Sequence, residues 1–318
     1  MFKTSINKSI KDANKVFVLK LLVFCALIFV LDYAVGTMLR YFYFKQDSGL
    51  QYRTTYAMQK TTADVLIFGS SKANHHYHPA VFEERLHLPY YNAGRDGNSI
   101  FYHYAVLKAV LKRYTPKMVV LDFVNSEFKQ SQESYDRLSS LLPYYKTHPE
   151  IRPLTELKSD YEKFKLLSSI YPYNSSLFTI AVGNTEFNKK RTEDIKGYVP
   201  LNRIWNGPVK KENNPVTYDT DSQKIKVYES FIQDCINAKI KLYVVVSPYF
   251  IQSATTDYSV AIAQQMAAKY QVPFMDYSKD AVFTSNPKLF ADISHLNDDG
   301  AKVFSTMLLD EISKAEEK

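Results

Sequence analysis

Only two cysteines occur in 318 residues, which excludes a disulfide framework. Cys25 lies in an apolar run near the N-terminus and Cys235 in an expected helix. Neither has a companion at metal-ligand spacing, so both read as structural. There is no internal repeat. There is also no basic low-complexity tract and no aromatic-basic repeat, although the formal charge is +7. Much of that charge sits in the first 20 residues, where Lys3, Lys8, Lys11, Lys15 and Lys20 face Asp12 alone. Nucleic-acid binding is therefore not expected. Tryptophan occurs once, as Trp205.

What is present is a composition 46% hydrophobic and 14% aromatic, enough for one large core or two small ones. The stretch from Val16 to Leu39 is the membrane candidate. Its centre, Leu21 to Leu31, is uninterrupted apolar, bracketed by Lys20 and Asp32. A span needs about 20 predominantly apolar residues. A snorkelling Lys20 and continuation through Tyr33, Ala34, Val35, Gly36, Met38 and Leu39 supply the length. Lysines precede the run, and no small-residue cleavage site follows it. The expectation is an uncleaved single-pass signal anchor with residues 1–40 as tail and span, the N-terminus in the cytoplasm, and the remainder periplasmic or on the cell surface.

Residues 41–60 read as a polar, Tyr-rich connector to a domain over 61–318. Val65 to Phe68, Met118 to Phe123, Ile240 to Val246 and Val272 to Asp276 are short apolar runs that suit buried strands. Helices are expected over His78 to Leu86, Ser99 to Tyr114, Ser222 to Ala238, Ala261 to Tyr270 and Asp298 to Lys314, the last capped by Asn297 or Asp298. Strands separated by helices predict an α/β fold, a parallel sheet with helices on both faces. Residues 126 to about 220 break this rhythm with seven prolines, many tyrosines and Trp205. An insertion of this size reads either as a substrate-recognition element or as a packed excursion.

Four separated pieces carry chemistry: Phe68-Gly69-Ser70-Ser71, Asn92-Ala93-Gly94-Arg95-Asp96-Gly97, Leu121-Asp122-Phe123-Val124-Asn125, and Asp292-Ile293-Ser294-His295. They supply a serine on a turn after a strand, a glycine loop, an asparagine at a strand end, and an Asp-x-x-His pair. Acyl transfer needs a nucleophile, oxyanion donors, and a base with an orienting carboxylate. Glycine permits the tight turn, and the C-terminal edge of an open parallel sheet is where such folds place ligands. Ser70 competes with Ser71 as nucleophile. His295 would take the serine proton, and Asp292 would fix its tautomer. Three close histidines, His75, His76 and His78, have no local carboxylate or cysteine to complete a zinc site, so neither a metal nor another cofactor is expected.

These four blocks, in this order, resemble the SGNH or GDSL-type hydrolase family. The resemblance covers roughly residues 60–125 and 240–315. It implies a three-layer α/β/α flavodoxin-like fold and a serine esterase or O-acyltransferase mechanism. The third position of the first block is the family nucleophile, which falls on Ser71. The family's Gly-Asp-Ser is here Gly69-Ser70-Ser71. The oxyanion donors fall on the Ser71 N–H, Gly97 and Asn125, although the third block has lost its glycine and the Asp that follows the asparagine. Asp292 and His295 keep the last block intact. Membrane-anchored relatives with serine in the first block act on carbohydrate, which implies an O-acylated, chiefly O-acetylated, carbohydrate of the cell envelope or outside the cell as substrate and the membrane as partner. Lys72, Asn74, His75, Arg95 and Trp205 are the candidate substrate contacts. The alternatives are a catalytically silent glycan-binding protein on the same fold and a lipid-ester hydrolase.

Overall fold

The computed structural model describes residues 2–185, 194–207, 211–212, 218–250, 252–253 and 256–317. Its centre is a five-stranded parallel sheet, made of β1 (Val65–Phe68), β2 (Tyr90–Asn92), β3 (Met118–Asp122), β4 (Lys241–Val246) and β5 (Phe274–Asp276). The order is β2-β1-β3-β4-β5, the flavodoxin-like arrangement. Val65 pairs with Met118 and Tyr90, Met118 with Lys241, and Val244 with Phe274.

Strand side chains alternate between two cores, because successive residues of a strand face opposite ways. Leu66, Phe68, Val119, Leu121, Leu242, Val244 and Val246 meet α2 (Gly49–Gln59), α5 (Ile100–Leu111), α6 (Ser222–Asn237) and α7 (Tyr258–Lys269) on one face. Val65, Ile67, Met118, Val120, Tyr243, Val245 and Met275 meet α3 (Ser71–His76), α4 (Pro79–Leu86) and α8 (Asp298–Glu316) on the other. Both faces being covered explains why the strands read as continuous apolar runs. Asp221, Asp257 and Asn297 accept first-turn N–H groups and start α6, α7 and α8.

β2 is absent from the sequence reading. Three residues are too few to show a period, and Tyr90-Tyr91-Asn92 is recognisable only through its pairing with β1. The stretch read as a connector is also ordered. It holds the end of α1 (Phe2–Lys45) and α2, whose Arg53, Thr54, Thr55, Ala57 and Met58 are buried.

Helix α1 has two halves. From Val16 to Leu31 its large apolar side chains are exposed all round. Helices of that kind lie inside a large core or a bilayer. From Gly36 onward one side turns to the domain, and Gly36, Leu39 and Tyr43 are buried. The helix from Ala13 to Lys45 is long and apolar enough to cross a membrane. Leu39 also joins the protein core, while the run of exposed large apolar side chains ends near Leu31. A Cβ at Gly36 would overlap Ser169, so glycine there allows the insertion to approach the helix closely.

The insertion is a series of short α and 3₁₀ turns that packs into the main core through Leu138, Leu141, Tyr144, Ile151, Leu154, Tyr173 and Ile180, alongside Tyr43.

Candidate active site

Ser71 is the first residue of α3, directly after β1 and the Gly69-Ser70 turn. Gly69 has φ +143°, and a Cβ there would stand 2.8 Å from Ala73 and Asp122. Only glycine suits that bend, which swings the chain from the sheet edge into α3.

The last block folds around its own carboxylate. Asp292 Oδ1 accepts the N–H groups of Ser294 (2.9 Å) and His295 (3.0 Å). The same carboxylate meets the ring, with His295 Nδ1 2.9 Å from Oδ1 and 3.1 Å from Oδ2. His295 Nε2 stands 2.8 Å from Ser71 Oγ. Asp292 also accepts from Arg203 at 2.9 Å. Burial alone would raise the Asp292 carboxyl, but the Ser294 N–H, His295 and Arg203 outweigh it and hold it below the usual range. No sequence signal pointed to Arg203.

Beneath the serine lies a buried polar network. His76 Nε2 accepts the Leu296 N–H at 3.0 Å, so its proton is on Nδ1, 2.9 Å from Ser247 Oγ. Ser247 Oγ in turn donates to Asp122 Oδ2 at 2.7 Å. Burial, then the Lys72 charge, pushes the His76 imidazole well below its ordinary value, so it is neutral. Lys72 donates to the Ser247 carbonyl, and its Nζ lies 3.2 Å from the centroid of the Tyr249 ring. Burial draws its ammonium down to about 7, against the pull of Asp122. Burial pushes Asp122 up to about 6, against Lys72 and Ser247. The sequence singled out none of Asp122, the last residue of β3, Ser247 and Tyr249.

Among the residues expected at the site, the structure brings together Ser71, His295 and Asp292. Ser70 has its carbonyl on the Asn74 N–H and lines a cleft of about 230 Å³ with Gly97, Asn98, Asn125, Ser131 and Ser134. Gly97 has φ +67°, and exposed Asn125 donates its backbone N–H to Tyr249 Oη at 3.1 Å. His75 stands edge-on to His295, centroids 5.3 Å apart, with Nδ1 2.7 Å from the Val199 carbonyl. It lines a second cleft of about 380 Å³, walled by Leu50, Phe178, Val182 and Leu201.

The other expected substrate contacts are engaged within the protein. Lys72 is 3% exposed and points under the sheet edge. Asn74 borders the second cleft but is committed, accepting from Arg53 (2.6 Å) and donating to Asp96 (2.6 Å). Arg95 is buried against α2, donating to the Leu50 carbonyl and Thr54, and it does not pair with Asp96. Trp205 packs half-buried on the second core, its backbone N–H on the Phe290 carbonyl at 2.7 Å, while its buried indole N–H has no hydrogen-bond partner among the described residues. For Lys72, Asn74 and Arg95, partners distant in sequence satisfy the side chain.

No family model and no curated protein matches the sequence. Among solved structures, the chain is similar to a Bacteroides fragilis NCTC 9343 protein provisionally named an acylhydrolase. The identity is 14%, with 85% of this chain and 99% of that chain covered and a TM-score of 0.42.

Proposed function

We propose that the protein is a membrane-anchored serine hydrolase of the SGNH type that forms an acyl-Ser71 intermediate. The observation that carries this reading is the hydrogen-bonded line Asp292–His295–Ser71 at the C-terminal edge of the sheet. Nδ1 faces the carboxylate, so Nε2 is the nitrogen available to Ser71. His295 takes the serine proton as Oγ attacks the ester carbonyl. The Ser71 and Gly97 N–H groups and the Asn125 amide receive the oxyanion. His295 returns the proton to the departing alkoxide, and water or a sugar hydroxyl then takes the acyl group by the reverse steps.

The substrate we favour is an O-acylated carbohydrate of the cell envelope. The cleft at Gly97 and Asn125 supports this, because hydroxyl and amide groups of Asn98, Ser99, Ser126, Ser131 and Ser134 line it. The apolar wall of the cleft beside His75 favours a second reading, a lipid ester. The apolar half of α1 supports the anchor, and the lysines before it support an outward-facing domain.

The test is covalent labelling of the full-length chain by a fluorophosphonate, with turnover of a chromogenic acetyl ester. Ser71→Ala should abolish both, and Ser70→Ala should retain both in part. No labelling of the wild type would point to a silent binding protein.

A further inference from the structure

The insertion carries an apolar ridge that no part of the described protein covers. Tyr161, Phe164 and Leu167 are 69%, 71% and 76% exposed. The Phe164 N–H bonds the Tyr161 carbonyl and the Leu167 N–H bonds the Phe164 carbonyl, both at 3.1 Å. Glu162–Lys165 is a short α-helical turn, and residues three apart on such a turn are neighbours on one face, so the three side chains lie on one side of it. The ridge is firmly built. Leu166 is buried beneath it. Buried Glu162 accepts from Ser159 Oγ (2.7 Å), Tyr171 Oη (2.6 Å) and Lys165.

The ridge has a fixed place relative to α1. The residue after Leu167, Ser168, donates to Asp32 Oδ1 at 2.5 Å, and the Ser169 N–H donates to Oδ2 at 2.6 Å. Asp32 directly follows Leu31, the last residue of the exposed apolar run. A span of about 20 residues ending there reaches back to about Asp12. The Asp32 tie thus marks the level where α1 would leave a bilayer. Tyr33, 63% exposed, stands at the same level, as interfacial aromatics do. The ridge adjoins that level through Ser168.

We infer that Tyr161, Phe164 and Leu167 seat in the headgroup–acyl boundary of the bilayer that α1 crosses, making a second membrane contact that fixes how the domain stands on the surface. This rests on reading α1 as a span. A protein partner suits the ridge poorly, since stable interfaces take roughly 20–30 residues a side and this one offers three in a row. Lys163 and Lys165, exposed and paired with Glu156 and Glu162, flank Phe164.

The full chain is reconstituted in phosphatidylcholine vesicles, plain or brominated on the acyl chains, as wild type and as Phe164→Trp, Leu167→Trp and Leu27→Trp. Trp205 provides the common background. All three variants should lose emission to the brominated lipid beyond the wild type. Quenching of Leu27→Trp without Phe164→Trp and Leu167→Trp would overturn the ridge contact and leave the anchor standing. No quenching of Leu27→Trp would overturn both, while leaving the esterase reading to its own labelling test.

Discussion

The Nε2 of His76 accepts the backbone N–H of Leu296 at 3.0 Å, tying the helix that begins with Ser71 to the loop that ends in His295. The two partners are 220 residues apart in sequence, and the bond is buried. His76→Leu would leave that N–H without its acceptor and Ser247 without its Nδ1 donor. An orphaned buried group costs about 1–3 kcal/mol. Denaturant unfolding in detergent should show a loss of that size. On an acetyl ester kcat should fall while KM stays close to its wild-type value, because His76 holds the base in place and lies beneath the serine.

How far the sequence reached can be seen at these same residues. Asp292 and His295 were legible because one loop carries both, and its hydrogen bonds close within four residues. Ser71 was legible because a buried strand and a glycine precede it. β1 and β3 showed as apolar runs because both sheet faces are covered. Lys72, Asn74 and Arg95 misled. Proximity in sequence to Ser71 and Gly97 said nothing of direction, and each turns inward to partners brought by Ser247, Asp96, Arg53 and Thr54. Contacts of that kind are set by tertiary packing and leave no local pattern.

Lys72 and Asp122 should give stability a two-limbed pH dependence. Lys72 titrates at about 7 when folded and 10.5 as the unperturbed group. The unfolded chain therefore binds the extra proton between those values, and stability rises with pH across them. Asp122 titrates at about 6 when folded against 3.8 unperturbed, so its contribution is present below 3.8 and is lost as pH rises through 6. Thermal unfolding from pH 4 to 10 should show a shallow minimum between the limbs. Lys72→Met should remove the alkaline rise, and Asp122→Asn the acid fall.

Asp292 and Arg203 should separate sharply despite their contact at 2.9 Å. Asp292→Asn keeps the shape and loses the charge that fixes the imidazole, a change that costs on the order of 10⁴ in kcat in triads of this design. Arg203 is 68% exposed, and surface pairs contribute about 0–1 kcal/mol, so Arg203→Gln should slow turnover by less than roughly fivefold. It should also let the carboxyl rise, moving the acid limb of kcat/KM to higher pH. Equal losses from the two variants would show that the arginine contacts substrate.

The substrate-reading part of the insertion should be its first residues, with Trp205 playing no direct part. The ring of Trp205 packs on the core that carries Phe290 and Leu296, on either side of the Asp292–His295 loop. Trp205→Ala should therefore lower stability and reduce kcat/KM alike for a small acetyl ester and an O-acetylated oligosaccharide, because it loosens the base whichever substrate is bound. Ser131 and Ser134 line the cleft with Gly97 and Asn125 and lie away from that core. Ser131→Ala and Ser134→Ala should spare the small ester. Each should weaken the oligosaccharide by about two- to tenfold, the loss expected for one hydrogen bond worth about 0.5–1.5 kcal/mol. Binding energy from remote groups appears only when the substrate carries them. The ratio of the two kcat/KM values is therefore the quantity to measure. A ratio that moves with Trp205→Ala and not with the serine variants would place the glycan on the other side of Ser71, in the cleft walled by Phe178 and Leu201.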